Sequence, residues 1–327
     1  MRKTNRQLLL EWAEQSSIDG RQLKDALNVG GVLPTVSDWR GFLDKLLLYV
    51  GALFVASGVV FFFAYNWDDL GRFAQFALVQ GAIVAALVAF WMLGLEKLSG
   101  KISLMMAAIF VGVLLALIGQ TYQTGADPYE LFTVWCVLIL PWALLARFDV
   151  LWVFWLLLLN LSISLYYQVF GGLFHVLLGG EQMLWILFVV NTVALLIWEW
   201  VVTKGADRRK VRWMTRLLAT VSGGLASTLA ILNLLGSDES SFSQYGVLAW
   251  LGWMALAYYW YRHVEVDVYV LSIGVLSVIA IVSVFLGRFL FSGADAFASL
   301  LIMSAVIIGL SAAGAYWLRS VVLGEQS

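Results

Sequence analysis

The residues whose types and spacing suit chemistry gather in two short polar stretches. One runs Asn66-Trp67-Asp68-Asp69 and continues through Arg72 to Gln75; the other runs from Gln120 through Tyr122, Gln123 and Asp127 to Tyr129 and Glu130. Together they offer four carboxylates (Asp68, Asp69, Asp127, Glu130), several amides, one guanidinium and aromatic rings. Carboxylates accept hydroxyl or ammonium hydrogens, and rings stack on a sugar face or hold a cation. The set therefore suits a polyhydroxylated or cationic ligand, and the candidate ligand or partner site is Asn66, Trp67, Asp68, Asp69, Arg72, Gln75, Gln120, Tyr122, Gln123, Asp127, Tyr129 and Glu130. A structural reading competes with it. Asp69 and Asp127 would cap the helices that follow, Asp68 would pair with Arg72, and Pro128 suits a first helical turn. The residues alone leave both readings open.

Glu199, flanked by Trp198 and Trp200, is the other ionisable candidate. It either snorkels or pairs with Lys204, or it faces the protein interior as a proton-coupling group. Asn160, Asn191 and Asn233 read as interhelical hydrogen bonders. Common catalytic signatures are missing: the chain has no G-x-x-x-x-G-K-[ST] loop and no zinc motif. His175 and His263 are the only histidines and are expected on opposite sides of a membrane, so no metal and no cofactor are expected. Gly309-Leu310-Ser311 lies in a run of small residues and reads as a close helix contact, like Gly51 with Gly58, Gly112 with Gly119, and Gly223-Gly224. The single cysteine, Cys136, reads as a small buried hydrophobe.

The elements that must position these residues are membrane-spanning helices. The chain is 62% hydrophobic and 13% charged, with three prolines in 327 residues, and its mean hydropathy is +0.88. A soluble fold has no means of hiding that much apolar surface. Net charge −1 argues against a nucleic-acid partner and leaves the lipid bilayer as the expected surroundings. About 20 apolar residues cover a bilayer core. Ten segments qualify, at 46–65, 73–95, 102–121, 130–146, 150–169, 183–203, 214–235, 245–262, 266–286 and 296–318. The runs are continuously apolar, which excludes a barrel. The expected fold is all-α: a polytopic helical bundle over 41–320, preceded by a cytoplasmic amphipathic segment at 1–40 and followed by a cytoplasmic tail at 321–327. Residues 4–33 read as two short helices, the second stopping at Gly30-Gly31, and Ser37 reads as the cap of the helix that continues into the first span. No cleavable signal peptide is expected at the N-terminus.

Basic residues favour cytoplasmic loops. With ten spans, eighteen of the twenty Lys and Arg residues fall on one side, leaving only Arg72 and Arg288 opposite. Both termini are therefore expected in the cytoplasm, with the two polar stretches facing outward. Tryptophans near either interface, among them Trp67, Trp91, Trp152, Trp198, Trp200, Trp213, Trp260 and Trp317, read as headgroup anchors. Gln75, Gln80 and Gln120, at or below the outer interface, are expected to face the bundle interior, because a buried amide is costly without a hydrogen bond.

Asn66-Trp67-Asp68-Asp69-Leu70, Gly119-Gln120-Thr121-Tyr122-Gln123, Asp127-Pro128-Tyr129-Glu130-Leu131-Phe132 and Leu140-Pro141-Trp142 with Arg147 resemble a bacterial membrane-protein family catalogued as domain of unknown function 2157. The resemblance covers about residues 1–170. It implies an inner-membrane protein without an assigned reaction, and, as partners, a second polytopic membrane protein and a small membrane-anchored one. Three functions are carried forward: a transporter or flippase-like protein with a polar site open to the periplasmic face, a non-catalytic subunit or sensor of an envelope complex, and a membrane enzyme acting on lipid-linked sugars.

Overall fold

The computed structural model describes residues 36–65, 71–123, 125–170, 182–204, 212–236, 245–290 and 296–324, with residues 22, 25–27 and 30 before them. Among these residues ten α-helices follow one another: α1 (Val36–Tyr65), α2 (Arg72–Leu93), α3 (Leu98–Tyr122), α4 (Pro128–Ala146), α5 (Asp149–Phe170), α6 (Gln182–Lys204), α7 (Arg212–Leu235), α8 (Gly246–Tyr259), α9 (Val268–Leu290) and α10 (Ala296–Gly324). Nine of them are long and apolar enough to cross a membrane. The tenth, α8, has 14 residues of α-helix and is lengthened by a five-residue π turn, Trp260–Val264. Each expected span thus has its helix, and no strand occurs among the described residues. Lipid offers no partners for backbone N–H and C=O groups, so a chain this apolar satisfies them within helices.

One local expectation changes. The first helix already includes Val36, which makes Ser37 its second residue rather than its cap. The two N-terminal helices lie largely outside the described residues, although the Gly30 N–H donates to the Ala26 carbonyl at 2.8 Å, a helical bond at the expected stop.

The chain divides into two compact units, the first holding α1–α3 with residues 134–151, the second holding residues 127–133 and 152–325. In the first, α2 and α3 form the main packed pair. Gly94 turns the chain at φ 77°, a left-handed value natural to glycine, and Gly100 sits against its carbonyl. Trp135 Nε1 donates to the Ala108 carbonyl at 2.7 Å while its ring covers Gly112, where a Cβ would lie 2.2 Å from the indole. By contrast α1 buries only Ala56 among its described side chains.

In the second unit α7 is the hub, touching α6, α8 and α9. Its buried residues, Met214, Thr215, Leu218, Ala219, Ser222, Gly223, Ala226, Leu229 and Ala230, recur every three or four positions and so share one face. Small side chains on that face allow close approach: Trp253 lies over Gly223, and Gly246 meets the Leu229 carbonyl. Leu156, Leu195, Met214, Leu218, Tyr261, Leu271 and Val321 belong to one hydrophobic core cluster, with Trp152, Trp198, Trp260 and Trp317 packed on it. These four tryptophans are partly buried core groups, a correction to the anchoring reading; Trp91, Trp200 and Trp213 remain exposed. Gly309 has no neighbour near a built Cβ, and the contact expected there falls at Gly314, against Val275.

Candidate functional site

Asn66, Trp67, Asp68 and Asp69 lie outside the described residues. In the first unit, Arg72 and Gln75 occupy the opening turn of α2, and Gln120 and Tyr122 the last turn of α3, with Gln123 in a left-handed conformation after it. The Phe76 and Tyr122 rings, 6.2 Å apart, bring these two helix ends together. Gln75 is buried as expected, whereas Gln80 and Gln120 are exposed, as are Arg72, Tyr122 and Gln123. The inward expectation fails for Gln80 and Gln120 because only one stripe of each helix meets its neighbour. On α2 that stripe carries Gln75 and Val79.

In the second unit, Asp127 immediately precedes α4, and its backbone carbonyl accepts from the Glu130 N–H at 3.0 Å. Pro128 takes the first helical position, where no N–H is needed. Tyr129 Oη donates to Glu130 Oε1 at 3.2 Å, and the Tyr129 ring stands edge-on to Tyr166 at 5.2 Å. Thr133 and Ser162 join their hydroxyls at 2.6 Å, tying this turn to α5. Asp127, Tyr129 and Glu130 are therefore presented from a rigid helix start.

The second unit also buries an ordered set of polar groups. On α6, Asn191, Thr192 and Glu199 fall within about 100° of one another around the helix, whereas Gln182 sits about 180° from Asn191. Asn191 Nδ2 donates to Asn160 Oδ1 at 2.6 Å, the interhelical bond expected of this pair. Thr192 shares a 2.7 Å hydrogen bond with Ser222, which accepts from Trp253 Nε1 at 2.9 Å. Both polar atoms of Gln182 are buried without a partner among the described residues, as are the indole nitrogens of Trp185, Trp198 and Trp260. Glu199 does not snorkel: it is 8% exposed, and its Oε1 accepts from the Tyr261 hydroxyl at 2.8 Å.

The π turn after α8 sets the next layer. Its wider winding is closed by the Glu265 N–H on the Trp260 carbonyl at 3.0 Å and the Asp267 N–H on the Tyr261 carbonyl at 3.2 Å. Arg212 reaches Glu265 at 2.7 Å and Asp267 at 3.2 Å, and Arg216 reaches Asp267 at 3.1 Å. The Asp267 side chain is 1% exposed, so both arginines compensate a charge withdrawn from water. Its Oδ1 also accepts the Tyr269 N–H at 3.0 Å, capping α9. Arg216 further lies over the Tyr269 ring, 5.5 Å from its centre. This network was not foreseen. The available signal was Arg212 and Arg216 four apart on one helix face and two carboxylates, Glu265 and Asp267, in a short connection. Tyr261 had no sequence signal.

Among the described residues no three His, Cys, Asp or Glu side chains converge on a point suited to a metal ion. No curated protein and no solved structure matches the chain. Residues 10–152, which hold both polar stretches, match the model of the family described as predicted membrane protein (DUF2157).

Proposed function

We propose that this chain is a multi-pass protein of the bacterial cytoplasmic membrane, both termini inside, that acts as a transporter-type carrier. The orientation rests on the distribution of lysine and arginine, which leaves only Arg72 and Arg288 on the outer side. The transport reading rests on one observation above all: Glu199 is a carboxyl group buried within a span, partnered by Tyr261. It lies within about 80° of Thr192 and Asn191 around α6. Ionisable groups buried within spans are costly and mark ion or substrate pathways. In this reading Glu199 couples proton movement to a ligand that arrives from the outer polar stretches, including Asp127 and Glu130. The test is uptake of labelled sugars and amines into proteoliposomes, with and without an imposed pH gradient. Wild-type uptake should accelerate with the gradient, and Glu199→Gln should lose that acceleration. Uptake no faster than into protein-free vesicles would remove the carrier reading.

A second reading, a non-catalytic subunit of an envelope complex, is favoured by the exposure of Gln120, Tyr122, Gln123 and Glu130 and of nearly all described α1 side chains. Asp68→Asn, Gln120→Ala and Asp127→Asn separate the two. Lost cellular phenotype with intact assembly supports a ligand site, and lost recovery of a partner supports the subunit. Wild-type behaviour of all three would dispose of the outer site in either form.

A further inference from the structure

The second unit holds a cavity of about 260 Å³ on the inner half of α6 and α8. Five rings, Trp200, Trp253, Tyr259, Trp260 and Tyr261, form much of its wall, and Glu199 is among the residues that line it. We propose that this cavity binds an organic cation with an apolar body, a quaternary or protonated amine.

The argument is one of complementary chemistry. The face of an aromatic ring is electronegative and attracts a cation without needing a hydrogen bond from it, strengthening binding roughly two- to thirtyfold per ring. A quaternary ammonium presents no N–H donor, so rings recognise it better than carbonyls or hydroxyls would. A plain lipid-tail groove would be walled by aliphatic side chains and would gain nothing from an ionisable group, whose burial is costly. Here the carboxyl group stands among rings, and the one hydrogen bond described for it engages Oε1 alone. Tyr261 has two roles: its hydroxyl fixes Glu199, and its ring contributes to the wall. Trp253 is held by Ser222, so part of the wall is oriented before any ligand arrives. The rim explains access. Leu196, Trp200, Leu256 and Tyr259 are exposed on the outer faces of α6 and α8, so the opening faces the bilayer. An amphiphilic cation partitioned into the inner leaflet would reach it sideways.

The inference shares Glu199 with the transport reading but requires only binding, so a failed uptake assay with retained binding would sink that reading and not this one. The test titrates benzyltrimethylammonium into the full-length protein in detergent and compares it with its uncharged carbon isostere, neopentylbenzene. Saturable binding should favour the ammonium over the isostere by at least about tenfold, from the carboxyl and ring terms together. Glu199→Gln should remove most of that preference. Trp200→Leu, which alters a largely exposed ring and should leave folding intact, should weaken the ammonium several-fold. Trp91→Leu, on an exposed ring of the other unit, should change nothing. Equal affinity for the two probes, unchanged affinity in both lining variants, or no saturable ammonium binding would each overturn the proposal. If Glu199→Gln does not fold, Trp200→Leu and the isostere comparison still decide it.

Discussion

The Tyr261 hydroxyl donates to Glu199 Oε1 at 2.8 Å across 62 positions of sequence, with both residues buried. Glu199 is placed by regular helix geometry on α6. Tyr261 is placed by the π turn, which inserts extra winding and turns its side chain away from the direction a continued α-helix would impose. Removing the donor leaves Glu199 without its described partner, whereas an amide at 199 still offers an oxygen. Tyr261→Phe should therefore destabilise the protein by about 0.6–2 kcal/mol, as for hydrogen bonds inside membrane proteins. Glu199→Gln should cost less. Thermal unfolding in detergent, with the double variant to complete the cycle, measures both. Additive effects would show that the contact contributes nothing.

Asp267 combines two roles that can be separated by substitution. It caps α9 through the Tyr269 N–H, and it receives Arg212 and Arg216. Asp267→Asn should keep the cap and lose the charge; Asp267→Ala should lose both and cost about 1 kcal/mol more, the usual worth of a cap. The charge term should fall below the roughly 3–5 kcal/mol of a fully buried pair, because Arg212 and Arg216 are 32% and 45% exposed. Raising the salt concentration should narrow the gap between wild type and Asp267→Asn, which unfolding in a salt series would show.

Two glycine pairs provide an internal control on packing. A methyl at Gly112 would meet the Trp135 ring and one at Gly223 the Trp253 ring, whereas Gly119 and Gly224 have open space around them. Gly112→Ala and Gly223→Ala should each cost about 1–3 kcal/mol through overpacking. Gly119→Ala and Gly224→Ala should be neutral or stabilising by about 0.4–1 kcal/mol, since alanine restricts the unfolded chain. Melting temperatures of the four variants test the assignment, and a reversed order would mean these helix contacts are wrong.

Membrane orientation has a direct readout. In a Cys136→Ala background, cysteines at Asp127 and Lys97 should react with impermeant maleimide from opposite sides of sealed membranes. Labelling of both from the same side would refute the ten-span arrangement and the outward placement of Asp127.

The number and type of elements were legible in the sequence because a bilayer leaves little choice. Runs near 20 apolar residues can satisfy their backbone only as helices, and each expected span has its helix, including the one assembled from α8 and its π turn. The turn at Pro128 was equally legible, since proline at a first helical position is a local effect. The side of each helix that faces protein was not. In lipid both faces of a span are apolar, so hydropathy did not separate the buried Gln75 from the exposed Gln80 and Gln120, or Gly112 from Gly119. Likewise Glu199 was visible as an ionisable residue in a span, but not the tyrosine that holds it. Arg212 and Arg216 were visible as charges that keep to one side of a membrane, but not as the partners of Asp267. Those pairings join residues more than 50 positions apart and depend on a π turn that no local preference signals. Composition determined that the chain folds into membrane helices; the packing of α6, α7, α8 and α9 around one another decided which polar side chains meet.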